Sequence, residues 1–152
     1  MKRLFSIITT MILLSCNSTY RSSIPDFPVY LELDLTYEDR GLKSPQASKI
    51  YIKGKSALSA YEKTGFGGVL VYNGIRDGSS ENYYAFDAAC PVEVNQKIIV
   101  EVDSFGIYAV CPECGTKYDI SYGIGNPIEG IAKERLKRYP VDRQGDILYI
   151  AY

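Results

Sequence analysis

The sequence predicts an all-β protein, an antiparallel sandwich or barrel of about nine short strands. The chain holds 14 tyrosines, and aromatic residues are enriched in strands. Apolar and polar residues alternate in several short runs, most clearly over residues 29–35. Loops rich in glycine, proline and serine separate these runs at the spacing of hairpins. With 152 residues the chain can form one domain with a substantial core.

The first 16 residues predict a secretory signal instead of a part of the fold. Met1-Lys2-Arg3 precedes an apolar run that ends at Leu14, and this run is too short to span a bilayer as a helix. The segment 13–16, Leu-Leu-Ser-Cys, resembles the bacterial lipobox, in which the cysteine receives a lipid. We therefore expect a lipid anchor at Cys16, a polar linker over residues 17–25 and the folded domain over residues 26–152. The expected location is the bacterial cell envelope, outside the cytoplasm, with the membrane as partner through the lipid.

The domain is expected to consist of consecutive hairpins, with one or two helical turns at 55–63 before the glycine-rich turn 65–68. A rigid loop is expected at residues 123–127, where glycine and proline alternate with other residues. The expected strands are 29–35, 50–52, 69–72, 83–86, 98–102, 107–110, 116–120, 133–141 and 146–150.

Charge and composition exclude several classes of function. Lys and Arg total 17 against 18 Asp and Glu, so the chain has no basic footprint for nucleic acid. It contains no histidine, which removes the commonest general base and the commonest metal ligand. Because no constellation for hydrolysis or oxygenation exists without it, we expect a protein that is not an enzyme.

The most informative stretch is residues 111–119, Cys-Pro-Glu-Cys-Gly-Thr-Lys-Tyr-Asp. In a thioredoxin-type motif the two cysteines open a helix. Here Gly115 and the alternation at Thr116 and Tyr118 favour a second hairpin arm instead. Proline stiffens the turn, and glycine permits the positive φ that turns backbone N–H groups towards the sulfurs. The motif is typical of a metal knuckle at a hairpin tip, although such sites need four ligands.

Residues 84–91, Tyr-Ala-Phe-Asp-Ala-Ala-Cys-Pro, and residues 111–119 resemble the two cluster loops of the Rieske iron–sulfur domain family. The order and spacing of the later Gly123, Pro127 and Gly130 also resemble that family. The resemblance implies a Rieske-like fold, with Thr116 and Tyr118 as hydrogen-bonding partners around the ligands. The family uses Cys-x-His and Cys-x-x-His.

The four ligand positions that the resemblance marks read Cys90, Val92, Cys111 and Cys114 in this chain. A valine cannot bind a metal, so a standard cluster with two histidines and two cysteines is excluded.

Three interpretations of the remaining thiols stay open. Cys90, Cys111 and Cys114 can bind zinc, a single iron or an altered iron–sulfur cluster, with Glu93, Glu113 or water as the fourth ligand. The resemblance also implies that Cys90 and Cys111 are close enough for a disulfide, which an extracytoplasmic setting allows. The third interpretation is that the thiols are reduced packing groups.

The leading functional hypothesis is an extracytoplasmic redox or metal-binding lipoprotein with a remodelled all-cysteine site. The alternative is a cofactor-free interaction or scaffold lipoprotein with a disulfide in place of the cluster. In either case a redox or protein partner is possible, and the sequence does not identify it.

Overall fold

The structure, a computed structural model, describes residues 21–75 and 82–152. The predicted all-β class is confirmed, since the described residues form twelve strands and one short 3₁₀ helix, Arg40–Lys43. The strands are β1 (Val29–Asp34), β2 (Ser48–Tyr51), β3 (Lys63–Thr64), β4 (Val69–Asn73), β5 (Tyr83–Asp87), β6 (Glu101–Val102), β7 (Tyr108–Val110), β8 (Lys117–Asp119), β9 (Asn126–Glu129), β10 (Arg138–Tyr139), β11 (Val141–Gln144) and β12 (Ile147–Ala151).

The strands form three antiparallel sheets of four strands each, in the orders β11-β12-β1-β3, β10-β5-β4-β2 and β6-β7-β8-β9. In the first sheet β1 pairs with β12, with Leu31 opposite Ile150 and Leu33 opposite Leu148. These four side chains are buried, while their neighbours on β1 alternate outwards, because successive strand residues point to opposite faces.

The second sheet lies between two hydrophobic cores. All five residues of β4 are buried. Val69 and Val71 pack into the core beneath the first sheet, whereas Leu70 and Tyr72 pack into the core beneath the third. A strand with apolar neighbours on both faces reads as a continuous apolar run, which is what residues 69–72 show.

Three expectations about single elements were wrong. The segment 55–63 forms turns and irregular chain up to the start of β3 at Lys63, and no helix. Strand β9 begins at Asn126, inside the expected loop 123–127. The expected strand 133–141 is two short strands on either side of Pro140, β10 in the second sheet and β11 in the first. Because proline has no N–H to give to a ladder, it stands where the chain leaves one sheet for the other.

The count exceeds the predicted nine by β3, by β9 and by the division of 133–141 into two strands. Strand β3 has only two residues, too few to show a period of two. Among residues 21–75 and 82–152 there is no helix of the length and apolarity needed to cross a membrane. The predicted signal segment and Cys16 lie outside the described residues.

Candidate metal centre

The first cysteine loop follows β5. After Asp87 the chain forms an isolated bridge between Ala89 and Ile99, and the Cys90 N–H donates to the Ile98 carbonyl oxygen at 3.3 Å. Residues 91–93 then turn. The Val94 N–H closes the turn by donating to the Cys90 carbonyl oxygen at 2.9 Å. Cys90 is therefore held by backbone hydrogen bonds on both sides, with its side chain in the core between the second and third sheets.

The carboxylate of Asp87 anchors the entry to this loop. It is completely buried. Its Oδ1 accepts hydrogen bonds from the backbone N–H groups of Gly67 at 3.0 Å and Ala89 at 2.8 Å. Its Oδ2 accepts from the Phe66 N–H at 3.0 Å and the Tyr139 hydroxyl at 2.6 Å. A buried charge is tolerable only when it is paired or hydrogen-bonded in this way. The sequence analysis assigned Asp87 no role. The glycine-rich turn 65–68, whose N–H groups bind the Asp87 carboxylate, was the feature of the sequence that could have indicated one.

The second cysteine loop connects β7 to β8, which confirms the predicted hairpin tip. The Cys111 N–H donates to the Thr116 carbonyl oxygen at 3.0 Å, and the Gly115 N–H donates to the Cys111 carbonyl oxygen at 3.0 Å. Gly115 has a φ of 69°, a conformation that glycine adopts without strain. The loop is thus a tight knuckle between two paired strands.

The structure brings the three predicted thiols together. The Sγ atoms of Cys90, Cys111 and Cys114 all lie within 4.8 Å of one another, and those of Cys90 and Cys114 are 3.7 Å apart. Cys90 and Cys111 are buried, and Cys114 is half-buried. Metal–sulfur bonds of about 2.3 Å in a tetrahedral site place the sulfurs about 3.8 Å apart. The donor set therefore fits one thiophilic metal ion.

Cys90, Cys111 and Cys114 are free thiols, so the structure does not contain the Cys90–Cys111 disulfide that was one of the three open interpretations. A disulfide needs an S–S distance of about 2.05 Å. The 3.7 Å between Cys90 and Cys114 is a non-bonded contact.

Burial and backbone N–H groups shift the pKa values of the Cys111 and Cys114 thiols in opposite directions. Burial raises the pKa of Cys111 to about 12, although the backbone N–H groups of Cys114 and Glu113 favour its thiolate. At Cys114 burial also opposes ionisation, but hydrogen bonds from the Thr116 hydroxyl and backbone N–H, and from the other two thiols, outweigh it and lower the pKa. Cys114 therefore ionises more readily than Cys111. Backbone N–H groups directed at a sulfur stabilise the thiolate form, which is the form that binds a metal.

The partners that the family resemblance implies also lie at the sulfurs. Thr116 Oγ1 is 3.3 Å from Cys114 Sγ and accepts hydrogen bonds from the backbone N–H groups of Ile131 and Ala132 at 3.2 and 3.4 Å. As a thiol Cys114 donates to this oxygen, and as a thiolate it would accept the proton of the Thr116 hydroxyl instead. The Tyr118 hydroxyl is 3.5 Å from Cys90 Sγ, and burial raises the pKa of Tyr118.

The candidate fourth ligands lie at different positions. Among the described residues, the cluster of possible ligand atoms contains the three sulfurs and no carboxylate. Glu113 is exposed at the outer side of its loop, whereas Glu93 is half-buried. Val92, at the position of a family histidine, is exposed and supplies no ligand atom.

Comparisons with known proteins match no family model and no curated protein. A solved structure described as a complex of reduced oxygenase and oxidized ferredoxin in carbazole 1,9a-dioxygenase contains a chain that is 15% identical to this one. The match covers 81% of this chain and 93% of that one, with a TM-score of 0.48.

Proposed function

We propose that this chain is a metal-binding module of Rieske-like fold in which Cys90, Cys111 and Cys114 hold one metal ion as thiolates. The observation that carries the proposal is that three sulfurs from two separate loops lie within 4.8 Å of one another. Thr116 and Tyr118, within hydrogen-bond reach of the sulfurs, support a common origin with the Rieske cluster loops.

One ion is favoured over a two-iron cluster. In the Rieske arrangement the cysteines bind one iron and the histidines the other, so that ligands of different irons are separated by the irons and their bridging sulfides. Cys114 stands at a histidine position, yet its sulfur lies 3.7 Å from that of Cys90. This spacing suits two ligands of the same ion, and Val92 removes one of the two protein ligands that a second iron would need.

Zinc and iron are, with copper(I), the metals that thiolate ligands select. With zinc the site would be structural, since that ion has no redox chemistry. With iron it would carry single electrons, as iron–thiolate centres do. The module is proposed to be non-enzymatic, because the ligand set contains no histidine base.

The module is further proposed to act outside the cytoplasm, tethered through a lipid on Cys16. The support for this part is the short apolar run followed by Leu-Leu-Ser-Cys at residues 13–16. Metabolic labelling with a fatty-acid analogue tests it. The wild-type chain should be labelled, and the matched Cys16→Ser chain should not.

The metal site is tested on the full chain, extracted from membranes in detergent without chelators. Elemental analysis should find one zinc or iron per chain. Of the four cysteines, three should react with a thiol reagent after denaturation, since the lipid would block Cys16. Cys90→Ser and Cys114→Ser should each lose the metal. A chain with one reactive thiol and no metal would instead support the cofactor-free scaffold with a disulfide.

A further inference from the structure

The two cysteine loops share one tight turn, which their sequences do not reveal at once. In each loop a cysteine is followed by proline and by a turn, over residues 91–93 and 112–114. In each, the N–H of the fourth residue after the cysteine donates to that cysteine's carbonyl oxygen. The distance is 2.9 Å for Val94 to Cys90 and 3.0 Å for Gly115 to Cys111.

The residue that closes each turn has a positive φ, 46° at Val94 and 69° at Gly115. This conformation is ordinary for glycine and an outlier for a β-branched residue such as valine. Backbone outliers of this kind persist where the surrounding structure requires them, and they cluster at ligand sites. The first loop therefore adopts the knuckle conformation although its sequence does not favour it.

The shared turn makes the positions from the first cysteine to the closing residue correspond one to one. Cys90 matches Cys111, and both are buried. Val92 matches Glu113, and both are exposed. Glu93 then matches Cys114, and both are half-buried. The prolines are the exception in burial, since the one after Cys90 is buried and the one after Cys111 is exposed.

In a knuckle the first and fourth residues both present a ligand to the same ion. In the second loop these are Cys111 and Cys114, whose sulfurs belong to the cluster. In the first loop they are Cys90 and Glu93. The Glu93 carboxylate has no hydrogen bond or ion pair with the residues that the structure describes. It lies outside the cluster of sulfurs here, so metal binding would require the Glu93 side chain to turn inwards.

We infer that Glu93 is the fourth protein ligand of the metal ion, at the position equivalent to Cys114, which makes the site three thiolates and one carboxylate. The inference rests on the proposed metal site and adds the ligand that completes it. A carboxylate oxygen is an accepted zinc and iron ligand and binds at about 2.0–2.2 Å. Glu113, one position earlier in its own knuckle, is not a ligand.

The test uses Co²⁺ as a spectroscopic probe on the full chain with Cys16→Ser, which leaves the three site cysteines as the thiols. Glu93→Gln removes the charge at nearly constant shape, and Glu113→Gln is the matched control. Glu93→Gln should weaken Co²⁺ binding by at least about tenfold. Losing a residue that only hydrogen-bonds to a metal ligand already lowers metal affinity by about 10- to 100-fold, and losing a ligand should cost no less. Glu113→Gln should leave the affinity unchanged.

A gain-of-ligand variant makes the test independent of any loss of folding. Glu93→Cys should give a site of four thiolates, with sulfur-to-cobalt charge-transfer absorbance raised by about one third. Equal affinities for Glu93→Gln and Glu113→Gln, with absorbance unchanged in Glu93→Cys, would overturn the role of Glu93 and leave the three-cysteine site intact. If the parent chain binds no Co²⁺ at all, the proposed metal site itself is wrong.

Discussion

Replacing Asp87 by asparagine tests whether one buried carboxylate holds the first cysteine loop against the second sheet. The carboxylate accepts four hydrogen bonds, from the backbone N–H groups of Phe66, Gly67 and Ala89 and from the Tyr139 hydroxyl. An asparagine keeps the shape of the side chain, but it has only one acceptor oxygen. Two of the four donors must then face an amide NH₂ group in a site that water does not reach.

The magnitude follows from the number of bonds lost. A hydrogen bond to a charged group contributes about 1.5–3 kcal/mol, and a buried donor without a partner costs about 1–3 kcal/mol. Asp87→Asn should therefore lower the free energy of unfolding by about 3–5 kcal/mol. Tyr139→Phe removes a single donor and should cost about 2 kcal/mol. In the Asp87→Asn background the same tyrosine change should cost close to nothing, because its acceptor is already lost.

The measurement is equilibrium unfolding in urea, followed by circular dichroism for the two single variants and the double variant. Tyr37→Phe is the control, since Tyr37 is 76% exposed and its free energy of unfolding should change by less than about 0.5 kcal/mol. The reasoning is refuted if Asp87→Asn costs under about 1 kcal/mol, or if Tyr139→Phe costs the same in both backgrounds.

Two further predictions concern the second loop and the effect of pH. Gly115→Ala should lower the free energy of unfolding by about 1–2 kcal/mol. The cause is its φ of 69° alone, because a Cβ there would meet nothing within 4 Å. Gly41→Ala, also in open space but without a positive φ, should cost close to nothing, and equal losses would count against this cause. Secondly, the metal-free chain should lose stability as pH rises from about 9 towards 12. Burial raises the pKa of Cys111 from 9.0 to about 12 and that of Tyr72 from 10.0 to about 12. Both groups stay protonated in the folded chain while they ionise in the unfolded one, so the stability is complete below the unfolded pKa values and is lost above them. Urea unfolding at about pH 8 and about pH 11 measures this, and equal free energies at both would contradict it.

The sequence by itself determined the all-β class, the hairpin around residues 111–119 and the identity of the thiols. These are local properties. Alternation over residues 29–35 requires strand residues to face opposite sides, and proline with Gly115 specifies a tight turn wherever the loop lies. The excluded Rieske cluster also followed from local identity, because Val92 carries no ligand atom.

Only the tertiary structure decided which groups meet. Asp87 and Tyr139 are 52 residues apart in sequence, and no local pattern says that a hydroxyl will reach that carboxylate. The division of the expected strand 133–141 at Pro140 depends on which sheet each half can join.

The correspondence of Glu93 with Cys114 likewise appears only in the backbone conformation. Valine rarely adopts a positive φ, so the sequence around Val94 does not predict the turn that the first loop forms. The sequence gives the chemical identity of each side chain, whereas long-range strand pairing and core packing decide which side chains lie close together.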